Sequence, residues 1–422
     1  MDFTLDSGNT AWMIVATALV LLMTPALAFF YGGMVRTKSV LNMMMMSFIS
    51  VATIGVVWFV YGYGLAFGGD TLGGLVGSPS GLVGLNGVGD DMSLAASSGV
   101  PTLVMAAFQA TFAIITVALI SGSVADRMKF GAWTLFTVLW VTLVYTPIAH
   151  GVWGGGLLGS FSPSTVIDFA GGTVVHINAG VAGLVLAILL GTRKGFGKEP
   201  FKPHNLPFVM LGSALLWFGW FGFNAGSEFA ADATAGRAFL NTTIAPAVAV
   251  LGWLLVEKIR DGKPTSLGAA SGIVAGLVAI TPAAANVDTW GALAIGFIAG
   301  VVCAMAVGLK YKFGYDDSLD VVGVHLVGGV VGTVLIGFFA NLDEGTTWAP
   351  DGALNGLFYG GGWTQLGTQI IGALVAIIFS GVMTLIIGLA LKYTIGIRVP
   401  EEVEVSGIDL AEHGETAYEE AV

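Results

Sequence analysis

Two histidines in this chain each follow an aspartate by eight positions: Asp168 and His176 within "DFAGGTVVHINAG" (168–180), and Asp317 and His325 within "DDSLDVVGVHLVGG" (316–329). An imidazole offers one hydrogen-bond donor and one acceptor when neutral and exchanges its proton near neutral pH. A pair of them in apolar surroundings therefore suits either a pathway for a small polar molecule or a hydrogen bond that ties two helices together. Direct pairing of each His with its own Asp is excluded, because eight residues of α-helix separate them by about 12 Å. Near the start of a helix a carboxylate instead accepts from free backbone N–H groups and faces the positive helix end, so a structural role is expected for Asp168 and Asp317.

The elements that must position these residues are membrane spans. Of the 422 residues 55% are hydrophobic and only 10% charged, with a mean hydropathy of +0.85, whereas about a quarter of an ordinary soluble domain is charged. Runs of about 20 apolar residues, enough to cross the hydrocarbon layer, recur near 10–32, 40–66, 100–124, 132–153, 167–190, 206–228, 238–257, 266–285, 290–309, 319–340 and 364–391. The expectation is an all-α polytopic membrane protein of eleven transmembrane helices. "ALA" at 26–28 resembles a signal cleavage site, but residues 1–10 carry Asp2 and Asp6 and no base, so the first helix is read as retained. The single cysteine, Cys303, lies in an apolar run and allows no internal disulfide.

With eleven spans, fifteen of the sixteen Lys and Arg residues fall on one face and only Arg237 on the other. Bases are retained on the cytoplasmic side, which places the N-terminus outside and the C-terminus inside. The opposite face holds Asp2, Asp6, Asp70, Asp90, Asp91, Glu228, Asp232, Asp288, Asp343, Glu344 and Asp351. That surface either concentrates cations or is merely what remains once bases are excluded.

The Asp–His motif recurs after five spans, an odd number, so two five-helix halves (about 10–190 and 206–340) would lie in opposite senses as an inverted repeat. "AFFYGG" in the first span and "WFGWFGFNAG" in the sixth are a weaker match of the same kind. The helix at 364–391 has no mate and is an addition. Entering from opposite faces, His176 and His325 would differ in depth by only about 6 Å and could meet. Intramembrane ionisable residues usually line a pathway, and a symmetry-related pair favours that over a simple tie. His150, His204 and His413, at helix ends, loop and tail, are read as ordinary.

"DFAGGTVVHINAG", "AHGVWGGG", "FKPHNLP", "WFGFNAGS", "DVVGVHLVGG" and "GIRVPEEVE" occur in that order, and together they resemble the ammonium transporter family, which includes the Rh glycoproteins. The resemblance runs from the first span to the tail. It implies a multi-pass protein of the cell membrane, a homotrimer in which each subunit has its own narrow pore, and a twin-histidine pair at His176 and His325. It further implies an outer ammonium site at Phe112, Trp153 and Ser227, and a gate formed by Phe112 and Phe223. Trp220 lies in the same motif and is placed against the histidines, while Phe108 and Trp217 are assigned to packing. Aromatic faces attract a cation and a hydroxyl accepts an N–H, which distinguishes ammonium from potassium. Ammonium would be deprotonated near the gate and cross as ammonia, with methylammonium as an analogue.

Residues 1–398 are thus assigned to the transporter domain and 399–422 to a cytoplasmic regulatory tail. The tail carries eight acids and no Lys or Arg, a composition that by itself suggests disorder. The family resemblance instead implies that "RVPEE" packs beneath the trimer and that a P-II signalling protein docks there. No cofactor, metal, nucleic acid or catalytic residue is expected. HExxH, GxSxG and Cys/His clusters are missing from the sequence, which argues against a membrane enzyme. A bis-histidine haem protein would absorb visible light. An ammonium sensor of the same fold is expected to carry a signalling domain, where only a short tail follows residue 391. A neutral-gas channel of the same fold stays open as an alternative.

Overall fold

The structure, a computed structural model, describes residues 3–92 and 95–418. Asp2, Glu419 and Glu420, which entered the charge analysis above, lie outside the described residues. Among the described residues, eleven helices are long and apolar enough to cross a membrane: α1 (Ser7–Met34), α2 (Thr37–Phe67), α3 (Thr102–Val124), α4 (Phe130–Trp153), α5 (Gly172–Leu190), α6 (Leu206–Gly226), α7 (Ala233–Arg260), α8 (Ser266–Ala283), α9 (Thr289–Phe313), α10 (Val322–Phe339) and α11 (Thr364–Thr394). Their apolar windows are unequally enclosed. Those of α3, α5 and α8 are 83%, 78% and 78% buried, against 33% for α11, so the first three form the centre of the bundle and α11 lies at its periphery.

Small residues set how closely the helices approach, as expected where apolar tails outside supply no hydrophobic driving force between them. α6 lies along α1 at Gly212, Gly219 and Gly222; a Cβ on Gly212 would come within 2.5 Å of the Phe30 backbone nitrogen. α5 meets α10 in the same manner. A Cβ on Gly180 would sit 2.4 Å from the Leu326 backbone nitrogen, and one on Gly329 would press on the His176 Cβ at 3.1 Å.

Helix starts account for much of the acid on one face. Asp6 accepts from the Asn9 N–H (2.8 Å), Asp232 from the Thr234 and Ala235 N–H groups (2.9 and 3.0 Å), and Asp288 from the Gly291 N–H (2.8 Å). These carboxylates cap α1, α7 and α9, which all begin at the acidic face, and complement the positive helix ends. Arg237, the one base at that face, pairs with Glu344.

At the basic face, the turns after α3 and α5 and before α10 are locked by a buried ionic cluster. Arg193 grips the Asp316 carboxylate through Nε and Nη2 (both 2.9 Å) and reaches Asp126 at 3.0 Å. Burial alone would raise the Asp316 pKa; the hydrogen bond and charge of Arg193 outweigh it and hold the group below the usual carboxylate range. Arg127 donates to Ser318 Oγ (2.6 Å), the Asp316 carbonyl (2.5 Å) and the Gly191 carbonyl (2.9 Å).

Residues 399–418, the described part of the tail, correct the expectation from composition: they are folded against the bundle. They form α12 (Glu401–Ser406) and α13 (Ile408–His413) against the basic face. Four of the tail's acids, Glu401, Glu404, Asp409 and Glu412, are engaged by that face. Glu404 accepts from Arg398 (2.6 Å) and from the Lys194 N–H (2.6 Å), and Asp409 accepts from the Leu41 and Asn42 N–H groups at 3.0 and 2.8 Å, capping the start of α2. The Val399 N–H donates to the Arg127 carbonyl (3.0 Å), so the tail bridges the turns after α1, α3 and α5. Asp409→Ala should remove a cap worth about 1 kcal/mol and speed amide exchange across residues 401–413 by about fivefold. Unchanged protection in hydrogen-exchange mass spectrometry would show that Asp409 does not hold the tail.

Candidate functional site

Each histidine is delivered by the same local device. Asp168 precedes α5 rather than lying inside it, because Gly171 at φ 122° turns the chain before the helix begins. Its Oδ1 accepts from the Gly171 and Gly172 N–H groups (2.8 and 2.6 Å) and its Oδ2 from the Thr173 and Val174 N–H groups (2.8 and 3.2 Å), with the Thr173 hydroxyl as a fifth donor. Asp317 does the same for α10, accepting from the Val321 and Val322 N–H groups (3.1 and 2.7 Å) and from Ser123 Oγ (2.9 Å). Both helices open with a wide π turn, Gly172–Ile177 and Val322–Leu326, and each turn holds its histidine. Such turns shift the register of one side chain relative to a regular helix.

The two rings meet. Nδ1 of His176 lies 3.3 Å from Nδ1 of His325, with ring centroids 5.4 Å apart and planes inclined by 21°. Two unprotonated Nδ1 atoms would repel, as would two protonated ones, so the contact holds one shared proton. The ring whose Nδ1 carries it has a bare Nε2, and the other ring has an Nε2–H. The neutral pair therefore presents one acceptor and one donor. His176 Nε2 is buried and meets no protein partner. It borders a narrow cavity with an open volume of about 10 Å³, walled by Met23, Leu27, Phe30, Leu119, Val175 and Leu216, room for about one water-sized molecule.

Above the histidines the aromatic residues form a continuous stack. Trp220 lies nearly parallel to His176, with centroids 5.5 Å apart, and is fixed by a 2.8 Å bond from its Nε1 to Thr281 Oγ1. Phe223 follows at 6.2 Å from His176. Phe112 lies face to face with Phe223, centroids 4.0 Å apart and planes 17° apart. Trp153 meets Phe112 edge-on at 6.1 Å and donates through Nε1 to the Asp168 carbonyl oxygen at 2.9 Å. That last bond fastens the tryptophan to the segment that starts α5.

At the acidic face this stack opens into a cavity of about 480 Å³ lined by Phe112, Trp153 and Ser227. Ser227 Oγ donates to the Phe223 carbonyl (2.8 Å), which leaves its lone pairs free to accept. The structure thus brings Phe112, Trp153 and Ser227 together at the mouth, Phe223 and Trp220 below it, and His176 and His325 at the base. Sequence reasoning did not assign Gln109, Glu228 or Trp348 to this cavity, which they also line. Glu228 had a signal, since it directly follows Ser227; Trp348 comes from a loop without periodicity and had none.

The remaining assignments fall elsewhere. Phe108 packs on Phe112 at 4.8 Å, and Trp217 donates to the Thr242 carbonyl at 3.0 Å. His150 bonds the Ala66 carbonyl (3.0 Å) and Asp70 (3.1 Å), His204 bonds the Val35 carbonyl (2.9 Å), and His413 bonds Asn42 (3.0 Å). Among the described residues no His, Cys, Asp or Glu cluster suits a metal ion.

The model of the Ammonium Transporter Family matches residues 11–418. Similar proteins include an ammonium transporter of Mycobacterium tuberculosis, 57% identical over 99% of this chain and 91% of the relative, and one of Aquifex aeolicus, 50% identical over 98% and 94%. The fold is similar to that of Saccharomyces cerevisiae Mep2, with a TM-score of 0.87 and 34% identity over 100% of this chain and 94% of that one. It is also similar to a sensor Amt protein, with a TM-score of 0.85 and 30% identity over 96% and 98%.

The five donors on Asp168 generate a prediction. An amide supplies one acceptor oxygen where the carboxylate supplies two, and its NH₂ would face N–H groups left without a partner. Asp168→Asn should destabilise the protein by about 2–3 kcal/mol, visible as a lower thermal midpoint of the purified protein. An unchanged midpoint would show that the carboxylate does not hold the start of α5.

Proposed function

The chain belongs to the ammonium transporter family, and from that premise we propose how this multi-pass membrane protein moves ammonium. The acidic face is outside, because bases are retained at the cytoplasmic side. Ammonium enters the 480 Å³ cavity, where the Trp153 and Phe112 rings attract its charge and the Ser227 hydroxyl accepts an N–H. It gives its proton to water at the cavity, near Phe112 and Phe223, and passes as ammonia to His176 and His325. There the Nε2–H of one ring donates to the ammonia lone pair, and the bare Nε2 of the other accepts one of its N–H groups.

The single observation that carries this reading is the pair of buried rings in Nδ1–Nδ1 contact beside an apolar cavity of about 10 Å³. A potassium or sodium ion would have to shed its water there at a cost of several kcal/mol or more, with no ring of carbonyls to replace it. The family resemblance carries two further proposals: three chains assemble, each with its own pore, and the ordered tail forms the surface on which a P-II signalling protein docks. Similarity to a sensor Amt protein supports a second reading, in which the same site serves ammonium sensing.

Uptake of labelled methylammonium by cells lacking other carriers, competed by ammonium but not by potassium, tests the reading. His176→Ala should reduce uptake at least about tenfold, the effect of about 1.4 kcal/mol. Wild-type uptake by that variant with potassium still excluded would remove the role assigned to His176. Orientation has its own test. Cys303 is wholly buried, so a membrane-impermeant maleimide applied to intact cells should label an Asp91→Cys variant and spare a Lys263→Cys variant. The reverse pattern would invert the topology.

A further inference from the structure

The mouth cavity contains acceptors that the aromatic site does not account for. Glu228, the residue after Ser227, lines the cavity, and its Oε2 is buried with no hydrogen-bond partner. Gln109, one turn before Phe112 on α3 and only 4% exposed, also lines it, with its Oε1 equally unpartnered. Other acids of the same face have structural partners: Asp6, Asp232 and Asp288 cap helices, Asp70 meets His150, and Glu344 meets Arg237. Glu228 has no such use. A buried acceptor left unpaired is costly, so one kept at the wall of an open cavity points to a donor that arrives from outside.

The donor must be cationic and small. Glu228 has no basic residue opposite it, and Trp153 and Phe112 place aromatic faces in the same cavity. Burial, and next the nearby charge of Asp232, push the Glu228 carboxyl up to about 8, so the empty site holds it largely protonated near neutral pH, and a cation that arrives beside it favours the ionised form, the carboxyl proton leaving to water. Ammonium carries four N–H donors, more than the Ser227 hydroxyl alone can receive.

We propose that Glu228 is a further substrate-binding residue of the outer site, its carboxylate and the Gln109 carbonyl accepting N–H groups of ammonium while Trp153 and Phe112 cover the rest of the ion. This deepens the ammonium reading and rests on it. Ser227 and Gln109 offer acceptors whose directions suit the N–H groups of a tetrahedral ion, and the ionised Glu228 supplies the negative charge that holds it.

The test is methylammonium uptake into liposomes containing the purified full-length protein, read as half-saturation concentration and maximal rate. Glu228→Gln should raise the half-saturation concentration about tenfold with a maximal rate within about twofold of wild type, the signature of lost capture rather than of lost passage. Glu228→Asp should recover most of the loss. Asp91→Asn, which removes an exposed acid from the same face, should change neither value by more than about twofold. Half-saturation by Glu228→Gln equal to wild type, or a loss matched by Asp91→Asn, would overturn the proposal. Should Glu228→Gln fail to fold, Gln109→Leu must also raise the half-saturation concentration, and an unchanged value there overturns the proposal as well. If the wild type moves no methylammonium, the ammonium reading falls and this proposal with it.

Discussion

Two imidazoles buried among apolar side chains must satisfy each other, and that requirement organises the centre of this protein. A neutral ring has one donor and one acceptor, and the side chains of Met23, Leu27, Phe30, Leu119, Val175 and Leu216 around the pair offer neither. Contact between the two Nδ1 atoms at 3.3 Å answers half of the need for each ring. It works only if α5 and α10 cross without side chains between them, which is what Gly180 and Gly329 permit. It also works only if both rings point inward at one level. The π turns that carry them, each fixed from behind by an aspartate, meet that condition from opposite ends of the bundle.

The two aspartates are equivalent in position but not in setting. Asp168 is surrounded by donors of its own segment, four N–H groups and the Thr173 hydroxyl. Asp317 reaches across the bundle to Ser123 on α3 and has the Lys310 ammonium beside its backbone carbonyl at 3.0 Å. One half thus fixes its histidine wholly within its own segment, and the other adds a tie to α3 to its local bonds. At the acidic end the backbone carbonyl of Asp168 also aligns Trp153, accepting from its Nε1–H. The cavity at the acidic face and the histidine pair consequently share one segment, residues 168–176, and a disturbance there would be felt at both.

The eleven spans were legible because crossing hydrocarbon leaves a signal in every window of the chain, and the basic residues then fixed their alternation. The histidine pair was legible for a related reason: ionisable groups are rare at such depth, and their recurrence after five spans was conspicuous. What composition missed was order in the tail, since Glu404 and Asp409 are acids whose partners, Arg398, the Lys194 N–H and the start of α2, come from distant turns. The start of α5 was placed early because Asp168 was counted as part of the apolar run; only Gly171 at φ 122° reveals the turn. Trp348 and Glu228 belong to the mouth cavity through loop placement, which periodicity does not encode.

The geometry of the stack also bears on where a proton would leave under the proposed mechanism. Phe112 and Phe223 lie face to face at 4.0 Å, so nothing passes between them unless a ring swings aside. While the rings move, the space beyond is lined by Met, Leu and Phe side chains and offers a traveller only two imidazoles. A cation entering that space would exchange the aromatic faces, Ser227 and water for a pair of rings that already share their proton, a loss set by desolvation and not repaid by two hydrogen bonds. Ammonia faces no comparable penalty, since its lone pair and N–H groups match the one donor and one acceptor the pair presents. The least costly place for the proton to depart is therefore at or above the phenylalanines, where polar acceptors and water are still within reach.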